Sequence, residues 1–327
     1  MRIVVIGGTG HVGSFLVPRL VRAGHDVICL SRGSRAPYVD DPAWASVEQI
    51  AVDREAEDAT GVFPERIRAL AADVVIDMIC FTPASAQALV DRLRGYADHL
   101  VHCGSIWRHG LSGKVPMTED DPSEPFGEYG VQKAAIAALL QAETASGGLR
   151  TTSLHPGHIS GPGWPVITPL GNLDPSVWQR LAAGDELVIP GIGTDLMHHV
   201  HADDVAQAFA LAVERRDAAA GQAFTVTAAS ALNVRGFAAI AARWFGREAS
   251  LRSVSWDEFR ATTSPEWAES SWQHLSRSQC MSIDKARRLL GYEPAHGPED
   301  AAREAVAWQI EHGELVLDLP LLARADG

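Results

Sequence analysis

Arg2 to Ile6 is a β-branched run of strand length that ends in Gly7-Gly8-Thr9-Gly10-His11-Val12-Gly13, and helical spacing begins at once. A strand that feeds a glycine turn and then a helix leaves few folds open, because it puts unpaired helix N–H groups at a strand end, where an anion can sit. Gly7 permits the tight turn, Gly10 lets backbone approach a pyrophosphate, and Gly13 lets the helix pack on the strand. His11 and Val12 complete the phosphate-facing stretch. The spacing is G-x-x-G-x-x-G rather than G-x-G-x-x-G, but it stands at the first strand-to-helix turn, the context that gives such a motif its meaning.

The alternation continues. Asp26 to Leu30, Val47 to Val52, Val74 to Met78, His99 to Cys103 and Arg150 to Leu154 read as strands. Val12 to Arg22, Pro64 to Ala72, Ala84 to Gly95 and Tyr129 to Thr144 read as helices. Gly24 suits a helix end, and Pro18 predicts a kink or a late start in the first helix. Apolar strands separated by helices form a parallel sheet covered on both faces, and right-handed crossovers make it an α/β doubly wound Rossmann sheet. After Gly157 the pattern changes. Residues 158–194 are rich in Gly, Pro and Trp, with a helix at Pro175 to Ala183. Met197 to Ala202 reads as a strand returning to the sheet, and Asp203 to Arg215 as a helix. From Ala231 short helices dominate, with Trp256, Trp267 and Trp272 among them. The expected organisation is a dinucleotide-binding domain at 1–157, with 196–226 returning to it. A smaller, loop-rich substrate cap is expected from 158–195 and 227–327.

Composition narrows the function classes. The 327 residues include 28 Lys plus Arg against 41 Asp plus Glu, a formal charge of −13. Such a surface repels phosphate backbones and anionic lipids, so nucleic-acid and membrane binding are not expected. No apolar run approaches the ~18 residues of a membrane span. The first strand runs straight into Gly7 with no signal-peptide core, which predicts a cytoplasmic protein. Cys29, Cys80, Cys103 and Cys280 form no C-x-x-C pair and read as reduced, mostly buried thiols.

The second strand ends in Ser31-Arg32, about 20 residues past the glycines, where an acidic residue would mark NAD. A guanidinium suits a 2′-phosphate, so the expected cofactor is NADP in preference to NAD, with Arg35 in support. The third strand ends in Asp53-Arg54, both expected at the cofactor, with Asp53 placed to accept from the adenine amino group. Tyr129 and Lys133 are four apart on a helix and share a face. A tyrosine titrates near 10, and an ammonium one turn away together with an oxidised nicotinamide would favour its phenolate. It could then exchange a proton with a substrate hydroxyl as hydride moves. Ser105, just past the fifth strand at the ligand edge of such a sheet, can hold the substrate oxygen.

These residues together resemble the extended short-chain dehydrogenases/reductases, the NAD-dependent epimerase/dehydratase family, over almost the whole chain. The resemblance rests on Gly7–Gly13, V-V-I-D at Val74 to Asp77, Ser105, and Y-G-V-Q-K at Tyr129 to Lys133. It also rests on H-P-G-H-I-S-G-P-G at His155 to Gly163, H-A-D-D-V-A at His201 to Ala206, and K-A-R-R-L-L-G-Y-E-P at Lys285 to Pro294. It implies a bound NAD(P), Tyr129 as acid–base, Lys133 on the nicotinamide ribose and Ser105 positioning substrate. It further implies cofactor contacts at Ile79, Cys80, Phe81, Cys103, Pro156 and His158, and a homodimer formed through the Tyr129 helix and its neighbour.

The departures bear on substrate. Nucleotide-sugar members carry Arg where this chain has Met197 and Asn where it has His158, so a diphosphate grip is weakened. The Asp-Glu pair of the dehydratases is replaced by Ile106-Trp107, which argues against elimination. Trp107, Arg108, His109, Trp164 and Met197 are the expected substrate-lining residues. His198, His199 and His201 invite a metal, but the tyrosine chemistry needs none and none is expected; His201 is expected to pack beneath the sheet edge. Asp203-Asp204 is expected to cap the following helix. The expected activity is hydride transfer at a secondary hydroxyl or ketone of a carbohydrate-like small molecule. The alternatives are an epimerase working by transient oxidation and a non-catalytic nucleotide-sensing or RNA-associated protein.

Overall fold

The structure is a computed structural model that describes residues 1–323. The last four residues of the expected cap lie outside the described residues. In chain order the strands begin β1 (Arg2–Ile6), β2 (Asp26–Ser31), β3 (Glu48–Ala51), β4 (Val74–Asp77), β5 (His99–Cys103), β6 (Thr151–Pro156) and β7 (His158–Ser160). They continue with β8 (Glu186–Pro190), β9 (Leu196–Met197), β10 (His199–His201), β11 (Ala223–Val226), β12 (Leu232–Asn233) and β13 (Ser250–Val254). The helices begin α1 (Gly13–Arg22), α2 (Arg54–Thr60), α3 (Phe63–Ala69), α4 (Pro83–Leu93), α5 (Gly127–Ala145), α6 (Pro175–Ala183) and α7 (Ala202–Glu214). They end with α8 (Arg216–Ala219), α9 (Val234–Arg243), α10 (Trp256–Arg260), α11 (Pro265–Leu275), α12 (Asp284–Leu290) and α13 (Pro298–Glu311).

Seven parallel strands form one sheet in the order β11-β6-β5-β4-β1-β2-β3. The order reverses beside β1, and a doubly wound sheet opens its ligand crevice at the carboxyl ends there. Side chains alternate across the sheet with period two. Ile3 and Val5 enter one core with Leu16, Val205 and Phe209, while Val4 and Ile6 enter the opposite core with Phe63, Leu89 and Ile136. A third core lies off the sheet and joins Trp178, Ile189, Phe237, Trp244 and Val306.

Several elements differ from the sequence expectation. The helix α1 runs through Pro18, starting at Gly13 rather than late. The helix α2 was not anticipated, and Asp53 accepts the Ala56 N–H as its N-cap. Residues 196–201 do not return to the sheet. The strand β9 pairs with β12 and β10 with β7, and β11 is the edge strand beside β6. The cap of α7 is His201, whose Nδ1 accepts the Asp203 N–H, and not the Asp203-Asp204 pair. Asp203 pairs with Arg19, and the Asp204 carboxylate accepts the N–H groups of Ala295 and His296.

Arg54 was expected at the cofactor, but its guanidinium turns into the fold. It donates to Asp77, Asp58 and Ser85 and lies 4.9 Å from the Phe63 ring. Asp77 also accepts the Ile79 N–H. The pair ties the end of β4 to α2 beneath the carboxyl edge of the sheet.

Candidate active site

The glycine turn closes on itself before α1 begins. Gly7 adopts φ +85°, and a Cβ on Gly13 would stand 2.1 Å from Gly8 O, so neither position admits a side chain. A Cβ on Gly10 would meet Gly7 O at 3.1 Å and otherwise open space. The start of α1 has no side-chain cap and no acidic residue in its first turn. The Ser14 N–H already donates to Gly10 O and the Phe15 N–H to Val12 O. It is the His11, Val12 and Gly13 N–H groups, without a partner among the described residues, that are left to an exogenous anion, and the turn fits a dinucleotide pyrophosphate. Ile79 packs against the turn, where its Cγ2 would lie 2.9 Å from a Gly7 Cβ. His11 is buried, and burial pushes its imidazole down to about 4, so it brings no charge to the turn. Ser31 Oγ accepts the Gly33 N–H at 3.2 Å. Arg32 is exposed beyond it, with no hydrogen bond or ion pair among the described residues. Arg35 hydrogen-bonds the Tyr38 hydroxyl.

Ser105, Tyr129 and Lys133 converge at the carboxyl edge. Ser105 caps a 3-10 turn at Ile106–His109, its Oγ accepting the Trp107 N–H at 3.2 Å. Its own N–H donates to His155 Nδ1 at 3.2 Å. The His155 ring lies so close beneath Gly104 that a Cβ there would sit 2.1 Å from Nδ1. Gly104 and His155 therefore fix the strand-end turn that presents Ser105. Lys133 is buried and donates from Nζ to Cys80 O and Cys103 O, each at 2.8 Å. It thus links the ends of β4 and β5. Its Nζ lies 4.8 Å from the Phe81 ring and 5.7 Å from the Tyr129 ring.

The spacing predicted that Lys133, together with an oxidised nicotinamide, would lower the Tyr129 phenol. Lys133 alone does not lower it, and its ammonium is held by two carbonyls. Tyr129 is 42% exposed as a whole residue, yet burial around the phenol pushes it up to about 12. The Cys103 thiol adds to that rise, and a hydrogen bond with Ser105 opposes it. At neutral pH Tyr129 is a protonated phenol beside a hydroxyl.

The other expected site residues separate. Trp107 stands with its ring 5.8 Å from Tyr129. Trp164 lies instead over the glycine turn, 5.3 Å from His11. Met197 is fully buried in the off-sheet core and cannot line a cleft. Arg108 and His109 lie near enough to His155 to depress it, behind the Ser105 turn, and burial lowers both of them. Pro156 ends β6, and His158 follows on β7. Sequence reasoning missed His274 and Arg277, which come from α11 and the residues just after it and carry no short motif. The His274 ring lies 4.8 Å from Trp107, and the Arg277 guanidinium is sandwiched between Trp107 and Phe126 at 3.9 and 3.8 Å.

One grouping among the described residues has metal-like spacing: His201, His296 and Glu304. His201 Nδ1 accepts the Asp203 N–H, so its proton is on Nε2, which faces Glu304 at 3.1 Å. That nitrogen has no lone pair to give a metal. His296 stacks on His201 at 3.9 Å and pairs with Asp204, and the set forms a hydrogen-bonded clasp between α7 and α13. His201 is therefore committed to a helix cap and to this clasp.

Residues 3–227 match the family described as the NAD dependent epimerase/dehydratase family. A 2′-dehydrokanamycin reductase of Streptomyces kanamyceticus is 28% identical over 211 residues, 64% of this chain and 57% of that protein. A UDP-glucose 4-epimerase of Corynebacterium glutamicum is 25% identical over 90% of this chain and 92% of its own. In fold, a UDP-glucose 4-epimerase of Thermotoga maritima, solved with UDP-glucose, superposes with a TM-score of 0.71 at 20% identity, covering 95% of this chain and 99% of that one. The chain therefore belongs to the NAD-dependent epimerase/dehydratase family and is an NAD(P)-dependent enzyme of that class. No helix of the described residues is long and apolar enough to cross a membrane.

Proposed function

We propose that this protein is an NADP-dependent oxidoreductase that transfers hydride at a secondary hydroxyl or ketone of a carbohydrate-like small molecule, with Tyr129 as the acid–base. The observation that carries this reading is the meeting of Ser105, Tyr129 and buried Lys133 at the carboxyl edge of a sheet whose first turn is built for a pyrophosphate. Bound nicotinamide supplies or accepts the hydride. Tyr129, protonated in the free protein, gives its proton to a ketone oxygen in reduction; in oxidation it must first release that proton to solvent, and the phenolate then takes the substrate hydroxyl proton. Ser105 shares that oxygen and orients it. Lys133 donates to Cys80 O and Cys103 O and keeps one N–H, which would go to a ribose hydroxyl. Relatives named as a reductase and as an epimerase both agree with this class of chemistry.

The epimerase alternative runs the same half-reaction twice. Nicotinamide absorbance separates the two: an oxidoreductase changes it by one equivalent per turnover, whereas an epimerase keeps its cofactor through purification and shows no net change.

Cofactor choice is carried by Arg32, exposed and unpaired at the end of β2. Replacing it with Ala is expected to weaken NADP⁺ binding by roughly 10–100-fold, the worth of one or two charge-assisted hydrogen bonds, while NAD⁺ binding stays within about twofold. Equal affinity for the two dinucleotides in wild type and Arg32→Ala alike would remove the role given to Arg32.

A further inference from the structure

One buried cation touches the neighbours of both Ser105 and Tyr129. Arg277 follows α11 and is 1% exposed. Its guanidinium lies 3.9 Å from the Trp107 ring and 3.8 Å from the Phe126 ring. Trp107 stands two residues past Ser105 and gives its N–H to the Ser105 Oγ, and its ring is 5.8 Å from that of Tyr129. Phe126 is the N-cap of α5, three residues before Tyr129.

The guanidinium fork ends on carbonyl and amide oxygens. Nη2 donates to Phe126 O at 2.8 Å, and Nη1 donates to Gln273 O and, at 3.0 Å, to Gln273 Oε1. Among the described residues no carboxylate pairs with it, and its Nε has no partner. Burial lowers the group to about 10, so it is still a cation at neutral pH. A buried cation without a counter-ion is costly, and here only carbonyl dipoles and two ring faces offset that cost. The charge is therefore tolerable only while Trp107 and the start of α5 stay against it. It does not act on the phenol by its field, since burial, the Cys103 thiol and Ser105 are what shift Tyr129. What Arg277 can set is where Tyr129 stands.

The junction has little slack. A Cβ on Gly130, the residue after Tyr129, would lie 2.9 Å from Trp107 O and 3.7 Å from Arg277 Nη2. The first turn of α5 thus rests on the Trp107 backbone with Arg277 beside it. The same cap segment grips the Ser105 turn. Gln279 Nε2 donates to Ile106 O at 2.9 Å and to Gly110 O at 3.1 Å, and Arg277 O accepts the Ser112 N–H at 3.1 Å. Ser278 between them takes φ +44°, a left-handed conformation that costs a serine energy. Its Oγ accepts the Leu196 N–H at 3.1 Å, which anchors the segment to β9.

Building on the oxidoreductase reading, we propose that Arg277 is a positioning residue for the reaction. By clamping Trp107 and the start of α5 together, it sets the Tyr129 hydroxyl against Ser105 and the nicotinamide.

The test uses the full-length protein labelled with 3-fluorotyrosine. The chain has four tyrosines, so its ¹⁹F spectrum holds four lines, and Tyr129→Phe identifies the one of interest. In wild type, NADP⁺ is expected to move the Tyr129 line. In Arg277→Met that line is expected to shift already in the free protein, while the lines of Tyr38, Tyr96 and Tyr292 hold. The response to NADP⁺ should be lost at unchanged NADP⁺ affinity, a split that simple loss of stability would not give. Arg277→Lys keeps a cation between the rings but not the flat fork, so it is expected to displace the line as Met does and serves if Arg277→Met does not fold. Arg277→Ala leaves a slot between two rings, and guanidinium chloride at a non-denaturing concentration should return its Tyr129 line towards the wild-type position where sodium chloride does not. Thermal melts confirm that each variant is folded. The proposal is overturned if the Tyr129 line and its NADP⁺ response match wild type in folded Arg277→Met, or in Arg277→Lys should Met not fold. It is equally overturned if all four lines move together or if guanidinium leaves Arg277→Ala unchanged. Failure of the underlying oxidoreductase reading would appear differently, as wild-type protein that binds no NADP⁺ or whose Tyr129 line ignores it, with the free-protein line still displaced by the Arg277 substitutions.

Discussion

Tyr129→Phe is expected to lower the rate of hydride transfer by about 10²–10⁴-fold, the span usually contributed by a positioned acid–base. The ring and its contacts with Trp107 and Phe81 survive the change, so NADP⁺ affinity and melting temperature should stay close to wild type. The loss should appear in kcat, because the phenol proton moves only during the chemical step. The same variant provides a titration control. In the free protein the phenol is pushed up to about 12, so difference spectra should show no Tyr129 phenolate through the neutral range. An alkaline phase should be present in wild type and missing in Tyr129→Phe. Turnover of Tyr129→Phe within a few-fold of wild type would show that another group moves the proton.

Asp77→Ala is expected to destabilise the fold by about 3–5 kcal/mol, because it leaves the Arg54 guanidinium buried without its main counter-charge. Both side chains are largely shielded from water, and their hydrogen bond lies at the base of the cofactor edge. In a chain of this size the change should lower Tm by on the order of 10 °C. The double variant Arg54→Met/Asp77→Leu should recover most of that loss, since an apolar pair of similar volume removes the stranded charge. The pH dependence follows from direction. Arg54 holds the Asp77 carboxyl below its ordinary range even though burial opposes this. Its stabilisation is complete above the ordinary carboxylate range and is lost as pH falls through the depressed folded value. Wild type should therefore lose its advantage over the double variant in acid. A Tm for Asp77→Ala within about 2 °C of wild type would show that Asp58 and Ser85 suffice for Arg54.

The sequence made the central strands legible because Ile3–Ile6 of β1 and Val74–Ile76 of β4 are apolar runs and β5 keeps Leu100 and Val101 between two buried histidines, and strands covered on both faces have that apolar character. It hid α2, whose Arg54–Thr60 stretch is polar all round and is held by its Asp53 cap and the Arg54 network. It also hid β11, a four-residue strand behind an alanine-rich turn. Residues 196–201 have strand character, but nothing local says which strand they pair with, so their sheet was misassigned. Tyr129 and Lys133 were legible as one helix face. The end point of the lysine was not, since its Nζ is set by carbonyls 30 and 53 residues away. Met197 and Trp164 show the same limit, because alignment to a family pattern places a residue in order and packing decides where its side chain goes. His274 and Arg277 reach the cleft through tertiary contact alone, and no spacing announces them.

The most direct measurement of the central claim is a crystal structure of the protein with NADP⁺ bound. The account predicts the pyrophosphate on the Gly7–Gly13 turn, Lys133 Nζ at the nicotinamide ribose, and the Tyr129 hydroxyl facing nicotinamide C4 with room between them for one substrate carbon and its oxygen. A dinucleotide bound with its nicotinamide turned away from Tyr129, or seated away from the glycine turn, would contradict it.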